Sequence, residues 1–165
     1  MTDKDYNPSS THPPIPPTSE DESFARLRLL RSRRVGVSTY KRLLAEHGTA
    51  QNALAALPKV ARAAGVANYE ICPEGVVYSE LRAAKAAGAQ LIMHGTDAYP
   101  ETLYDLNDAP PFLWAIGNLD IIHRPKISLV GARNASSLGT RMAKALAQGL
   151  GEAGYVVVSG LARGV

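Results

Sequence analysis

The sequence contains a single cysteine, Cys72, and only four histidines, which are widely separated along the chain. One cysteine cannot form an intramolecular disulfide, and neither residue type has the spacing of a metal site. No run of about 18 apolar residues is present, and the acidic, proline-containing N-terminus lacks the basic segment that opens a signal peptide. These absences predict a cytoplasmic protein with no membrane span, no metal and no cofactor.

Catalytic signatures are missing as well. No combination of serine, histidine and acid suggests a nucleophile with its base, and the aspartates are scattered over loops without metal-like spacing. The 165 residues suffice for one ordinary domain or two small ones, and the composition, 45% apolar and 20% charged, is that of a globular protein. We therefore expect a binding protein rather than an enzyme, with no catalytic residue.

The charges are distributed unevenly. Residues 1–23 contain one basic and five acidic residues, whereas residues 24–64 contain nine basic residues and one acidic residue. The remaining 101 residues are nearly balanced, with eight basic and nine acidic residues. Two interpretations fit the basic segment, namely a surface for a polyanionic partner and a solvated helix face.

The first 67 residues divide into a tail and a helical segment. Five prolines at positions 8–17 exclude helix, and no apolar residue recurs there except Ile15, so residues 1–22 are predicted to be a disordered acidic tail. From position 23, apolar residues recur at helical spacing, and residues 23–67 are predicted to form a small basic domain of short helices. The second helix should end near Gly48, and the third should break at Pro58.

Residues 68–165 alternate helical and strand patterns. Apolar segments at 89–95, 110–118, 126–133 and 155–160 read as strands, and helices are predicted at 76–88 and 137–153. The valines of the last strand suggest burial on both faces. This alternation predicts an α/β fold with a mostly parallel sheet.

Two turns of this segment are candidate anion sites. The turn after the third strand leads into a helix N-terminus, whose free N–H groups attract anions, but it carries Arg133 where the dinucleotide fingerprint has its second glycine. Arg133 is therefore either a phosphate ligand or a structural residue. The second turn follows the neighbouring strand and should lie at the same rim. The candidate phosphate-binding residues are Gly131, Arg133, Ser136, Ser137 and Gly139 in the first turn, and Ser159, Gly160, Arg163 and Gly164 in the second.

The helical segment offers an auxiliary site. Residues 34–44, RVGVSTYKRLL, resemble the hairpin of a helix-hairpin-helix motif, although Val37 and Ser38 stand where a second glycine is expected. Either this turn contacts DNA, or it is a helical turn without DNA contact. The candidate DNA-contacting residues here are Arg33, Arg34, Lys41 and Arg42.

Residues 89–165 resemble the DNA processing protein A (DprA, also called Smf) family. The resemblance is carried by Tyr99, Pro100 and Leu103, by the Asp-x-Pro-Pro step that begins at Asp108, and by Gly117. It continues in the Val-Gly-x-Arg turn with its serine and glycine, and in the Ser-Gly-Leu-Ala-Arg-Gly turn that ends at Gly164. The helical segment occupies the place of the family's N-terminal sterile-alpha-motif-like or helix-hairpin-helix domain.

The resemblance implies an extended Rossmann-like fold that binds single-stranded DNA, protects incoming strands and helps to load RecA recombinase during natural transformation. Family members continue beyond the position of Val165, so we expect this chain to hold an incomplete sheet, with a homodimer surface in the part that follows. Two alternatives remain. One is a Rossmann-type enzyme that hydrolyses nucleotide N-glycosidic bonds, whose second turn is typically a run of glycines. The other is a structural adaptor without a ligand.

Overall fold

The computed structural model describes residues 20–164, which form two compact units at residues 20–117 and 118–164. The first unit contains α1 (Glu20–Arg31), α2 (Val37–His47), α3 (Ala50–Ala63), α4 (Glu74–Ala86), β1 (Gln90–Met93) and β2 (Phe112–Ala115). The second contains β3 (Lys126–Ser128), α5 (Ser137–Glu152) and β4 (Val156–Val158). Short 3-10 helices lie at Glu101–Leu103 and Leu119–His123. The predicted fold class is confirmed: an α/β fold in which a helical region precedes an incomplete Rossmann-like sheet.

Helices α1, α2 and α3 enclose the first core cluster. Leucines at helical spacing, among them Leu29, Leu43 and Leu57, are almost fully buried there. Helix α2 ends at Gly48, whose φ of 78° suits glycine and whose N–H binds the Leu44 carbonyl, as predicted. The side chain of Thr49 caps α3 by accepting a hydrogen bond from Asn52 N.

Two predicted limits in this region differ from the structure. Residues 20–22, assigned to the tail, form the first turn of α1, because the buried Glu22 carboxylate accepts a hydrogen bond from Ala50 N at the start of α3. The rest of the predicted tail, residues 1–19, lies outside the described residues. Helix α3 also continues through Pro58, because Leu54, Leu57 and Ala61 are buried on both sides of the proline and hold the helix in place.

A second core cluster joins α1 to the segment that follows the helices. Leu27 of α1 packs with Cys72, Val77 of α4, Met93 of β1 and Phe112 of β2. Helix α4 is thus part of the same unit as α1, together with both strands of the first sheet. The predicted domain limit at 67 remains a prediction, and this packing cuts across it.

Strands β1 and β2 run antiparallel, so this pair is not part of the predicted parallel sheet. Gln90 lies opposite Ala115 and Met93 opposite Phe112. A parallel pair needs a crossover, which is usually a helix, but the connection between these strands holds only the 3-10 turn Glu101–Leu103. The pair therefore forms a two-stranded sheet separate from the later strands.

The second unit is a parallel βαβ arrangement. Lys126 lies opposite Val156, and Ser128 opposite Val158, with α5 as the crossover. The prediction that β4 is buried on both faces is wrong for the described residues: Val156 and Val157 are half-buried and Val158 is exposed. Two strands and one helix offer too little surface to cover both faces. No helix of residues 20–164 is long and apolar enough to cross a membrane.

Candidate anion-binding site

The first turn is organised by the N-terminus of α5. Ser136 is the N-cap: its Oγ accepts a hydrogen bond from Gly139 N at 3.1 Å, and its carbonyl accepts one from Thr140 N. This cap satisfies one of the N–H groups that a helix start leaves free. Of the two serines at the start of α5, Ser136 and not Ser137 is the cap. The other free N–H groups and the positive end of the helix dipole remain available to an anion.

The second turn follows β4 and is fixed at both ends. Ser159 Oγ accepts a hydrogen bond from Leu161 N at 3.3 Å. Gly164 lies directly against the first turn: a Cβ at this position would be 2.7 Å from Arg133 Cα and would overlap Ala132 O. Its φ is +118°, a conformation that residues with a side chain rarely adopt. Only glycine therefore permits the two turns to meet in this way.

The two turns enclose an open cavity of about 610 Å³, which we call the Arg133–Arg163 cleft. Both guanidinium groups belong to exposed residues, and no acidic side chain of the described residues lines the cleft. Hydroxyl and amide groups add further donors. The lining residues are Arg133, Asn134, Ala135, Ser136, Thr140, Arg163 and Gly164. Two guanidinium groups beside a helix N-terminus form a surface suited to phosphate oxygens.

Four of the nine residues predicted for the two turns line this cleft. They are Arg133, Ser136, Arg163 and Gly164. The other five, Gly131, Ser137, Gly139, Ser159 and Gly160, do not line it, although Gly139 and Ser159 hold the turns in shape. Sequence reasoning missed Asn134, Ala135 and Thr140. Thr140 could have been found, because it lies four residues after the Ser136 cap and so on the same side of the first helical turn.

The auxiliary residues of the helical region do not form one site. Lys41 Nζ donates a hydrogen bond to Asn107 O at 2.9 Å, and Arg42 forms an ion pair with Glu46. Arg33 lines a second cavity of about 370 Å³, whereas Arg34 is exposed in a left-handed conformation with φ of 63°. The four cations are thus held in four different environments.

Much of the basic charge of the helical region is neutralised within the first unit. Arg26 pairs with Glu22, Arg28 with Glu74, and Arg31 with Glu80. The three acidic partners lie outside residues 24–64, the segment that carries the excess of basic residues. Counting the charges of residues 24–64 alone therefore overestimates the positive charge that is available to a polyanion.

An aromatic cluster surrounds His94 at the end of β1. The imidazole ring lies 5.0 Å from the ring of Tyr99 and 4.8 Å from that of Tyr104, both edge-on. Desolvation by burial lowers the pKa of His94, and the positive charges of Lys41 and Arg26 lower it further. The lowered pKa favours the neutral imidazole in this packing. In residues 20–164, no group of three potential ligands among His, Cys, Asp and Glu is placed to hold a metal ion.

Comparison with protein-family models gives two matches. The model described as "DprA-like N-terminal HHH domain" matches residues 20–83, and the model described as "DNA recombination-mediator protein A" matches residues 90–165. The first match begins with α1 and ends within α4, and the second includes both turns of the Arg133–Arg163 cleft.

Individual relatives agree with these matches. The chain is similar to the DNA processing protein DprA of Streptococcus pneumoniae, with 44% identity over 69 residues, which is 42% of this chain and 24% of that protein. It is 36% identical to the protein Smf of Synechocystis over 73 residues, 41% of this chain and 18% of the relative. It is 33% identical to DprA of Bacillus subtilis over 86 residues, 52% of this chain and 29% of the relative. The matched part spans less than a third of each of these proteins.

Proposed function

Because the chain belongs to the DprA/Smf family of DNA processing proteins, we propose that it is a recombination mediator that binds single-stranded DNA in the Arg133–Arg163 cleft. The observation that carries this proposal is the meeting of two arginine-bearing turns around one cavity. Residues 118–164 contain six basic and only two acidic residues, so the unit that holds the cleft attracts polyanions.

The cleft supports binding through phosphates rather than through base edges. Each guanidinium can donate two parallel hydrogen bonds to a phosphate, and Ser136, Thr140 and Asn134 add neutral polar groups. Contacts of this kind position a strand but carry little sequence information. We therefore expect affinity that depends weakly on sequence and falls with added salt. A recombination mediator needs such indifference to sequence, since it must accept any strand.

Family membership leads us to propose two partners beyond DNA: RecA recombinase, which would receive the bound strand, and a second copy of the protein in a homodimer. Both can be tested on the whole protein. Light scattering would measure the assembly, and a RecA strand-exchange assay on single strands coated with single-strand binding protein would show whether the protein accelerates loading.

The competing enzymatic function is hydrolysis of nucleotide N-glycosidic bonds. Hydrolysis of glycosidic bonds is typically catalysed by carboxylates, and the cleft has no carboxylate among its described lining residues. This supports a binding role. Incubation with nucleoside monophosphates should yield no ribose 5-phosphate above the spontaneous rate, and enzymatic release would contradict the proposal.

The binding proposal is tested by fluorescence anisotropy with labelled single-stranded and double-stranded oligonucleotides of the same sequence. The whole protein should prefer the single strand. Arg133→Ala and Arg163→Ala should each weaken binding by about 1 to 3 kcal/mol, the range for a charge-assisted hydrogen bond. Lys144→Ala removes the same charge from an exposed position of α5 outside the cleft lining, and it should change affinity little. Equal losses of affinity in all three variants would mean that the two arginines act only through the net charge of the protein.

A further inference from the structure

We infer that Leu161 contacts the bases of the bound strand, so that the two turns recognise both parts of a single-stranded nucleic acid, its phosphates and its base faces. This inference rests on the proposed function, because it assumes that the Arg133–Arg163 cleft takes phosphates. It adds to the proposed site an uncharged residue, Leu161, and a base contact there explains a preference for single strands.

Leu161 is an apolar side chain that the fold holds in the open. It is 94% exposed, and its φ of 50° lies in the left-handed region, which a leucine seldom occupies. The conformation is maintained from both sides, by the hydrogen bond from Leu161 N to Ser159 Oγ and by the fit of Gly164 against Arg133. An exposed leucine on a turn that is fixed in this way is available to a ligand at no further cost in loop ordering.

The first turn repeats this pairing of apolar and cationic side chains. Val130, which is 86% exposed, precedes Arg133 by three residues, just as Leu161 precedes Arg163 by two. Each turn thus offers one apolar group and one guanidinium. A single strand matches this alternation, because it carries a phosphate and an unpaired base face in every nucleotide. Free phosphate offers no apolar part, and in a duplex the base faces are stacked on one another.

The exposed apolar residues of α5 provide the contrast. Leu138, Met142 and Leu146 are also exposed, but they follow one another along the helix at intervals of four residues, whereas Val130 and Leu161 lie in the segments that directly follow the two strands. Leu146 lies in the third turn of α5, well beyond the N-cap. It is therefore a matched control for Leu161: the same side chain, exposed in the same unit, without an arginine turn around it.

The experiment separates base contacts from phosphate contacts with two ligands. One is an oligothymidylate, and the other is an abasic oligonucleotide of the same length, which keeps the phosphates and lacks every base. Two variants of the whole protein remove the side chain in different ways. Leu161→Gly suits the left-handed backbone, whereas Leu161→Ala keeps a Cβ. A loss common to both variants therefore reports the side chain rather than the flexibility of the turn.

We expect Leu161→Gly and Leu161→Ala to bind oligothymidylate about 3- to 10-fold more weakly than the wild type. Their affinity for the abasic strand should stay within about twofold, and Leu146→Ala should behave as the wild type on both ligands. Arg133→Ala should lose affinity for both ligands alike.

Three results would overturn the inference. The first is unchanged oligothymidylate binding in both Leu161 variants, and the second is an equal loss on the two ligands. In either case the proposed function stands if Arg133→Ala still weakens binding to both strands. The third is undiminished binding by Arg133→Ala, which removes the phosphate site and, with it, the basis for a base contact at Leu161.

Discussion

Arg31 donates two hydrogen bonds to the carboxylate of Glu80, 2.6 and 2.8 Å long, across 49 residues of sequence. Trp114 Nε1 donates a third, of 2.8 Å, and the Arg31 guanidinium lies over the ring of Phe112 at 4.9 Å. One carboxylate thereby joins α1, α4 and β2. The network is partly exposed, so its strength comes from the two-pronged geometry and the shared partner rather than from burial.

Glu80→Gln should lower the free energy of unfolding by about 1 kcal/mol. The amide cannot accept from both guanidinium nitrogens and Trp114, and the partial exposure of the pair limits the loss. Denaturant unfolding measures the change. Glu46→Gln, which alters an exposed ion pair within α2, is the control and should cost less than about 0.5 kcal/mol. Similar losses in the two variants would mean that the network adds nothing to an ordinary surface pair.

The same network predicts a dependence of stability on pH. Hydrogen bonds from Arg31 lower the pKa of Glu80, with Trp114 and the charge of Arg31 acting in the same direction against partial desolvation. A carboxyl group whose pKa is lower in the folded state stabilises the fold above its unfolded pKa, about 4.3, and this contribution is lost as the pH falls through the folded value. The difference in Tm between wild type and Glu80→Gln should therefore be constant near neutral pH and shrink below about pH 4. A difference that grows with acidification would contradict this assignment.

Two Glu–Arg pairs of equal length test the effect of burial. Glu22 with Arg26 and Arg42 with Glu46 are both four residues apart on a helix and both 2.9 Å long, but only the first pair is buried. Glu22 also accepts from Ala50 N at the start of α3. Glu22→Ala should lower the free energy of unfolding by about 3 kcal/mol, because it removes the carboxylate that binds both the buried Arg26 guanidinium and the Ala50 amide. Glu46→Ala should cost at most about 0.5 kcal/mol. Chemical denaturation of both variants measures the two losses, and equal losses would contradict the effect of burial.

Gly164→Ala should separate the two turns of the cleft. The new Cβ would overlap the backbone of Ala132 and Arg133, which cannot move aside as a flexible side chain would. We expect binding of single-stranded DNA to fall at least about tenfold, which corresponds to 1.4 kcal/mol. Gly149→Ala is the matched control, since a Cβ there meets nothing within 4 Å and alanine favours the helix. Full affinity in Gly164→Ala would show that the turns need not meet in order to bind DNA.

Local patterns predicted the elements of this fold well. Apolar residues at helical spacing from position 23 indicated the first helices, and Gly48 indicated the end of α2, because each of these signals acts within a few residues of sequence. The turn around Arg133 was recognisable for the same reason. A strand end followed by a capped helix is a local arrangement that can be read without knowledge of the rest of the chain.

Contacts between distant segments could not be predicted in this way. The pairing of Arg31 with Glu80 depends on how α4 docks on α1, so the sequence alone did not show that part of the basic charge of residues 24–64 is neutralised. Glu22, counted with the tail, is fixed by Ala50, 28 residues away. Pro58 breaks an isolated helix, but the buried residues around it outweigh the lost hydrogen bond. In each case the observed structure depends on tertiary packing, which the local sequence does not specify.

The antiparallel hairpin β1–β2 has a consequence for exchanging parts between relatives. By family match, both strands belong with residues 90–165, yet Met93 and Phe112 pack with Leu27 and Val77 of the helices. A chimera joined in the gap between the two family matches, at 84–89, would take its helices from one parent and its strands from another. The buried cluster would then contain side chains from two parents that did not evolve to pack together. A junction at Gly117 keeps the cluster from one parent. The smallest portion that can be transplanted intact is thus the helices together with the hairpin.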